Sequence, residues 1–182
     1  MIKKISLFFL LLIPFNIYAL ENVKLEKCID GDTAAFEYKN EVSKFRFLSI
    51  DTPESTNKIE EYGKEASNYT CEELKKANKI EIEFEENSDK KDKYDRYLVY
   101  VFVDGELLQE KILYKGYAEL KYNKKDYKYN DRLTLANEYA KSNFLGIYST
   151  KEYKEELEED LISYIVKFLK KLIASILKEI IG

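Results

Sequence analysis

Between Val23 and Ile50, polar and apolar residues alternate in three short runs separated by two turn sequences. A chain with that pattern folds there as a meander of antiparallel strands, because period two presents one face of each strand to a core. Val23, Leu25 and Lys27 alternate with other residues up to the Asp30-Gly31-Asp32 turn. Ala34 to Tyr38 then leads to a second turn at Lys39-Asn40-Glu41, and Val42 to Ile50 forms the last run. Thr52-Pro53 ends it, since proline lacks a ladder donor and holds its predecessor extended.

The remaining pattern is mixed. Tyr62, Ala66, Tyr69, Leu74 and Ala77 recur at helical spacing, predicting an amphipathic helix over 60–77. Ile80, Ile82 and Phe84 alternate with Glu81, Glu83 and Glu85 in a further strand, and Tyr97 to Val103 is an almost continuously apolar one. A short helix is expected over 106–114, ended by Gly116, and another over 131–143. Strands interrupted by helices on one side predict an α+β fold with a small curved sheet or barrel.

Both ends differ from this centre. Lys3 and Lys4, the apolar run from Ile5 to Phe15 and the small Ala19 read as an export signal over 1–19. A retained membrane anchor is the alternative, disfavoured by the short run and by Pro14 and Asn16. Export implies a secreted or envelope-associated protein and leaves two readings for Cys28 and Cys71, a disulfide or two separate buried thiols. Residues 20–150 form the expected main domain. In the tail, 151–182, Leu157, Leu161, Ile165, Phe168, Leu169, Leu172, Ile173, Ile176 and Ile180 form one broad helical stripe, with Lys167, Lys170, Lys171 and Lys178 opposite. Acidic Glu155, Glu156, Glu158, Glu159 and Asp160 precede it. Lysines at these places argue against a transmembrane span. The stripe over 155–181 suits a membrane surface, self-association, or docking on the chain's own domain.

The sequence contains no histidine, which excludes triad hydrolysis, His-ligated zinc and His-activated water. Two cysteines alone cannot make a four-thiolate metal site. Chemistry must come from carboxylates, Lys, Arg, Tyr, Ser or a hard cation held by oxygen. Unusual residues gather in Asp30-Gly31-Asp32-Thr33, in Arg46 through Asp51-Thr52-Pro53-Glu54, and in Asp92-Lys93-Tyr94-Asp95-Arg96. Asp32, Asp51 and a nearby backbone carbonyl such as that of Thr52 would give a sparse oxygen cage for such a cation. As turns and caps, the same acids would be ordinary. Of three arginines, Arg46 and Arg96 sit beside these motifs, where a planar fork suits phosphate better than lysine does; Arg132 reads as a helix-start residue.

Taken in order, Asp-Gly-Asp-Thr, Phe-Arg-Phe-Leu-Ser-Ile-Asp-Thr-Pro-Glu, Tyr-Gly-Lys-Glu-Ala-Ser and Asp-Lys-Tyr-Asp-Arg-Tyr-Leu-Val-Tyr-Val resemble the staphylococcal nuclease (thermonuclease) family, from about Val23 to Ser149. The resemblance implies a five-stranded OB-fold β-barrel with three helices and a Ca²⁺-dependent nuclease acting on DNA and RNA, cutting the 5′ P–O bond to leave 3′-phosphate ends. It implies that Asp32, Asp51 and the Thr52 carbonyl bind Ca²⁺, that Glu54 orients or deprotonates the attacking water, and that Arg46 and Arg96 clamp the phosphate. Lys93 and Tyr94 match nucleotide-contact positions. Tyr122 is a further stacking residue, with Tyr127 and Tyr129 both open for a second. The chain departs from the family at Asp95, where a glycine is usual before the second arginine, and in a shorter loop between Glu54 and Tyr62.

The formal charge is -4, and more negative by two once Lys3 and Lys4 leave. Approach to a polyanion then requires local positive charge. Lys90, Lys91, Lys93, Lys121, Lys124, Lys125 and Lys128 interleave with tyrosines, a pattern suited to single strands. A non-catalytic OB-type nucleic-acid binder, held at the membrane by the tail, is the rival reading; such a binder has no use for carboxylates that repel its ligand.

Overall fold

The computed structural model describes residues 20–56 and 58–181; the expected export signal lies outside the described residues. Three strands open the fold: β1 (Glu21–Asp30), β2 (Thr33–Tyr38) and β3 (Glu41–Phe47). A two-residue β4 (Ile50–Asp51), α1 (Gly63–Lys76), β5 (Ile80–Glu83) and β6 (Tyr97–Val103) follow. The chain continues through β7 (Glu106–Leu107), α2 (Leu108–Tyr114), β8 (Glu119–Leu120), α3 (Asn130–Ser142), a 3₁₀ turn (Gly146–Ser149) and α4 (Lys151–Ile181).

Strands β1, β2 and β3 form the expected meander, with Ala34 opposite Phe45 and Thr33 opposite Arg46. Strand β1 also pairs with β5, β5 with β6, and β6 returns parallel to β3 through Phe45–Tyr97 and Phe47–Val99. That last pairing closes a five-stranded barrel with helices, the OB-type α+β fold. Closure removes the free edges that a small sheet otherwise exposes.

The barrel holds because its inward positions are large and apolar. Phe36, Phe45, Phe47, Ile82, Val99 and Val101 are fully buried, as are Leu108, Ile112 and Leu113 of α2 and Leu133 of α3. Each such side chain contributes about 1.5–3 kcal/mol. Gln109 of α2 is buried too, spanning the Val99 carbonyl and the Val101 amide at 2.9 and 3.0 Å. Cys28 of β1 and Cys71 of α1 are joined by a disulfide, their Cα atoms 5.6 Å apart. This decides between the two readings left open by the sequence.

One local expectation differs, and one set of acids lies where alternation alone does not put it. The Val42–Ile50 run is not one strand: Leu48 and Ser49 turn, with Ser49 at φ 66°, and β4 leaves β3 to pair with β8. Glu81, Glu83 and Glu85 do not face solvent despite their alternation; all three are buried. Each has found a partner. Lys79 pairs with Glu81 at 2.7 Å, Lys128 and the Tyr129 hydroxyl meet Glu83 at 2.5 and 2.6 Å, and the Tyr100 hydroxyl donates to Glu85 at 3.2 Å.

Helix α4 leaves the domain. Its base is fixed by Tyr153, whose ring meets Tyr148 at 4.9 Å and whose amide donates to Thr150 Oγ1. From Lys154 to Ile176 every residue is exposed, so the apolar stripe over those residues does not dock on the barrel.

Candidate active site

The β1–β2 hairpin turns on Gly31 and Asp32. A Cβ at Gly31 would stand 2.7 Å from Thr52 Oγ1 and 2.9 Å from Thr52 Cβ, so glycine lets the turn lie against the segment after β4. Thr70 of α1 donates to the Gly31 carbonyl at 2.7 Å and fixes the turn from behind. Asp32 is consequently buried. Its Oδ1 accepts from Thr33, and its Oδ2 accepts from the Thr52 amide at 3.0 Å. Burial raises its carboxyl above the usual aspartate range, against the opposing pull of Arg46, the Thr52 amide and Thr33.

Arg46, on β3, brings the second acid to the first. Its NH1 donates to the carbonyls of Phe47 and Ile50, at 3.0 and 2.7 Å, which holds the Leu48–Ser49 turn. Its NH2 lies 3.0 Å from Asp32 Oδ2 and 2.8 Å from Asp51 Oδ1. Two carboxylates, one from the β1–β2 turn and one from β4, thus meet at one nitrogen. Lys121 neutralises the other oxygen of Asp51 at 3.1 Å.

Glu54 follows the Pro53 turn in a loop closed on itself: the Glu60 amide donates to the Glu54 carbonyl at 2.9 Å, and the Glu54 amide to the Glu60 carboxylate at 3.1 Å. Gly63 makes room for this loop, since a Cβ there would fall 2.2 Å from the Glu54 carbonyl oxygen. Loss of water, then the charge of Asp30, and then those of Asp32 and Glu60 raise the Glu54 carboxyl above its ordinary value.

Arg96, the residue before β6, lines the same cleft as these groups. Its Nε and NH2 both reach Asp92 Oδ2, at 2.7 and 2.6 Å. Asp92 also accepts from the amides of Tyr94 and Arg96, forming the turn that carries Lys93 and Tyr94. Desolvation acts upward on Asp92, but the hydrogen bonds from Arg96 and the two amides prevail and hold it below the usual range. Asp95, at the position where the resemblance leads to the expectation of a glycine, adopts φ 62° and pairs with Lys91 at 2.8 Å. It therefore does not compete for Arg96; Asp92 does.

Asp32, Arg46, Asp51, Glu54, Lys93, Tyr94, Arg96 and Tyr122 line one cleft of about 870 Å³. Thr52 lines a second, smaller hollow beside it, with Pro53, Glu60, Lys121 and Glu152. Tyr127 also lines the cleft, whereas Tyr129 turns inward to Glu83 and packs edge-on against Tyr100. Sequence reasoning named Asp92 without giving it a part; its signal was the four-residue spacing to Arg96. Of the basic interleaved residues, Lys91, Lys121 and Lys128 are paired with carboxylates. Lys90, Lys93, Lys124 and Lys125 have no carboxylate partner among the described residues.

No three carboxylates converge among the described residues. The donors on hand are Asp32 and Asp51, backbone oxygens, and Thr52 Oγ1, which is buried without a hydrogen-bond partner. An all-oxygen set of this kind fits a hard cation with room left for water and a phosphate.

A closed barrel with helices, whose acids and two arginines open on one cleft, defines the class: a small OB-type α+β protein. Comparison with known proteins agrees: the model of the staphylococcal nuclease homologue family matches residues 44–150. The chain is 38% identical over 138 residues to endonuclease YncB of Bacillus subtilis, covering 74% of this chain and 64% of that protein. It is equally similar to the SPbeta prophage-derived endonuclease YokF of that organism, of which it spans 46%. To the thermonuclease of Staphylococcus hyicus it is 32% identical over 144 residues, 75% of this chain and 83% of that one. The chain thus spans less than two thirds of the Bacillus relatives and most of the staphylococcal one. It belongs to the staphylococcal nuclease family.

Proposed function

We propose that this chain is an exported, Ca²⁺-dependent, sugar-nonspecific nuclease that hydrolyses DNA and RNA at the 5′ P–O bond and leaves 3′-phosphates. One observation carries the reading: Asp32, Arg46, Asp51, Glu54 and Arg96, from three separate segments of the chain, open on the same cleft. A cleft made only to bind nucleic acid would gain nothing from three acids facing its ligand.

Asp32, Asp51 and the Thr52 carbonyl would hold Ca²⁺, and the bound ion supplies positive charge for the oxygens of the scissile phosphate. The side chains do the rest. Glu54, its proton affinity raised, orients the attacking water and accepts its proton. Arg46 is pre-positioned by two backbone carbonyls and points its NH2 at the charged centre. Arg96 turns its free NH1 and part of its Asp92-bound edge to the phosphate as charge builds on the equatorial oxygens. Tyr94, whose ring lies 5.4 Å from the Arg96 guanidinium, offers with Lys93 and Tyr122 a stacking and charge platform for unpaired bases, favouring single strands. No step needs an imidazole. Export is supported by the Cys28–Cys71 disulfide, a bond that persists in oxidising compartments.

The test separates chemistry from binding. Glu54→Ala and Arg96→Ala should each cut turnover of a single-stranded DNA by at least about a hundredfold while changing affinity for it far less. Equal losses in turnover and affinity would favour the non-catalytic binder.

A further inference from the structure

Helix α4 carries a second surface that the cleft does not use. With 31 residues rising 1.5 Å each, it extends about 46 Å, and its charges are divided along its length. The acids Glu155 to Asp160 occupy the part near the domain. From Leu161 to Ile176 the charged residues are Lys167, Lys170 and Lys171 alone. Around the axis, at 100° per residue, the apolar residues from Phe168 round to Val166 cover about 160°, and the three lysines fall within the opposite side. Leu161, Ile165, Phe168, Leu169, Leu172 and Ile176 are all exposed.

A second copy of the helix covers this surface poorly. An antiparallel pair centred on Leu169 buries the middle of the stripes but leaves the lysines, which point away from the partner and lie level with its lysines, without acidic partners. Sliding the pair to place acids on lysines lays each stripe on the other copy's acidic segment. An apolar face this wide also exceeds the narrow seam that two helices share. No helix among the described residues is long and apolar enough to cross a membrane. An anionic bilayer surface satisfies every feature at once. The apolar half enters the acyl boundary, the lysines meet lipid phosphates, and the acidic segment, repelled by the same surface, stands between it and the domain.

We propose that residues 161–176 form an interfacial anchor for anionic lipid. The test uses the chain from Leu20 onward, which contains every element of the described residues, in co-sedimentation with vesicles of phosphatidylglycerol and phosphatidylcholine, and with vesicles of phosphatidylcholine alone. The chain should pellet with the first and at least about tenfold less with the second, and added salt should weaken the binding. Joint replacement Lys167→Gln, Lys170→Gln and Lys171→Gln should lower partitioning about a hundredfold. Phe168→Ser with Leu172→Ser should lower it comparably, and unchanged thermal unfolding of the barrel would show that neither variant misfolds. No pelleting with anionic vesicles overturns the anchor. Equal pelleting with both vesicle types does so too, as does a dimer in sedimentation velocity that Phe168→Ser with Leu172→Ser dissolves while vesicle binding is absent.

Discussion

Arg96 gives two N–H groups to a single oxygen of Asp92, at 2.7 and 2.6 Å, and that oxygen belongs to the carboxylate that also caps the Lys93–Tyr94 turn. Asp92 thereby fixes both the aim of the guanidinium and the loop beside it. Asp92→Ala should lower kcat about ten- to a hundredfold with a smaller change in KM. Because the two residues act as a unit, the double variant with Arg96→Ala should lose little more than Arg96→Ala alone, a non-additivity that a double-mutant cycle measures directly.

The same carboxylate makes the turn sensitive to acid. Asp92 is held below its unfolded value of 3.8, so its stabilisation is fully present above that pH and disappears as pH falls through the folded value. Urea unfolding of the parent and of Asp92→Asn should therefore differ at neutral pH, begin to approach each other below pH 3.8 and converge only once pH has fallen through the lower folded value. A gap that persists in strong acid would contradict this assignment.

Gly63 should matter to chemistry more than to folding. Gly63→Ala forces a methyl to within 2.2 Å of the Glu54 carbonyl oxygen, and the loop bearing Glu54 is the part free to yield. Turnover should fall at least about tenfold, while the unfolding temperature, which reports the barrel core, should move only slightly.

Much of this fold was readable because its signals are local. The meander, the helix before Gly116 and the three motif segments each rest on adjacent residues, and so Asp32, Arg46, Asp51, Glu54 and Arg96 could be named beforehand. The rest depended on distant partners. Ser49 turns the chain at positive φ without a glycine to mark it, because Arg46 holds the carbonyls on either side. The alternation of Glu81, Glu83 and Glu85 with apolar residues does not show that they are buried, which rests on Lys79, Lys128, Tyr129 and Tyr100 around them. Whether Tyr127 or Tyr129 faces the cleft was decided by Glu83, which draws Tyr129 inward.

Glu83 therefore has a measurable part in shape. Glu83→Gln removes the charge that Lys128 meets and weakens the bond from Tyr129, at a cost of about 1–2 kcal/mol given that Lys128 is half exposed. The segment carrying Tyr122 and Tyr127 should loosen with it, so affinity for single strands should fall before turnover at saturation does.

The disulfide closes a separation of 43 residues between β1 and α1. In the chain-entropy picture it adds about 4 kcal/mol. Cys28→Ser with Cys71→Ser should lower stability by about 2–4 kcal/mol in denaturant unfolding, and reductant should do the same to the parent but not to the variant.

The central claim is that carboxylate-held Ca²⁺ and paired arginines break a phosphodiester without imidazole. It is tested most directly by the initial rate of single-stranded DNA hydrolysis by purified residues 20–182, measured in Ca²⁺, in excess chelator, and after Ca²⁺ is restored. The account predicts hydrolysis in Ca²⁺, none in chelator, and full recovery on restoration; equal rates in Ca²⁺ and in chelator would contradict it.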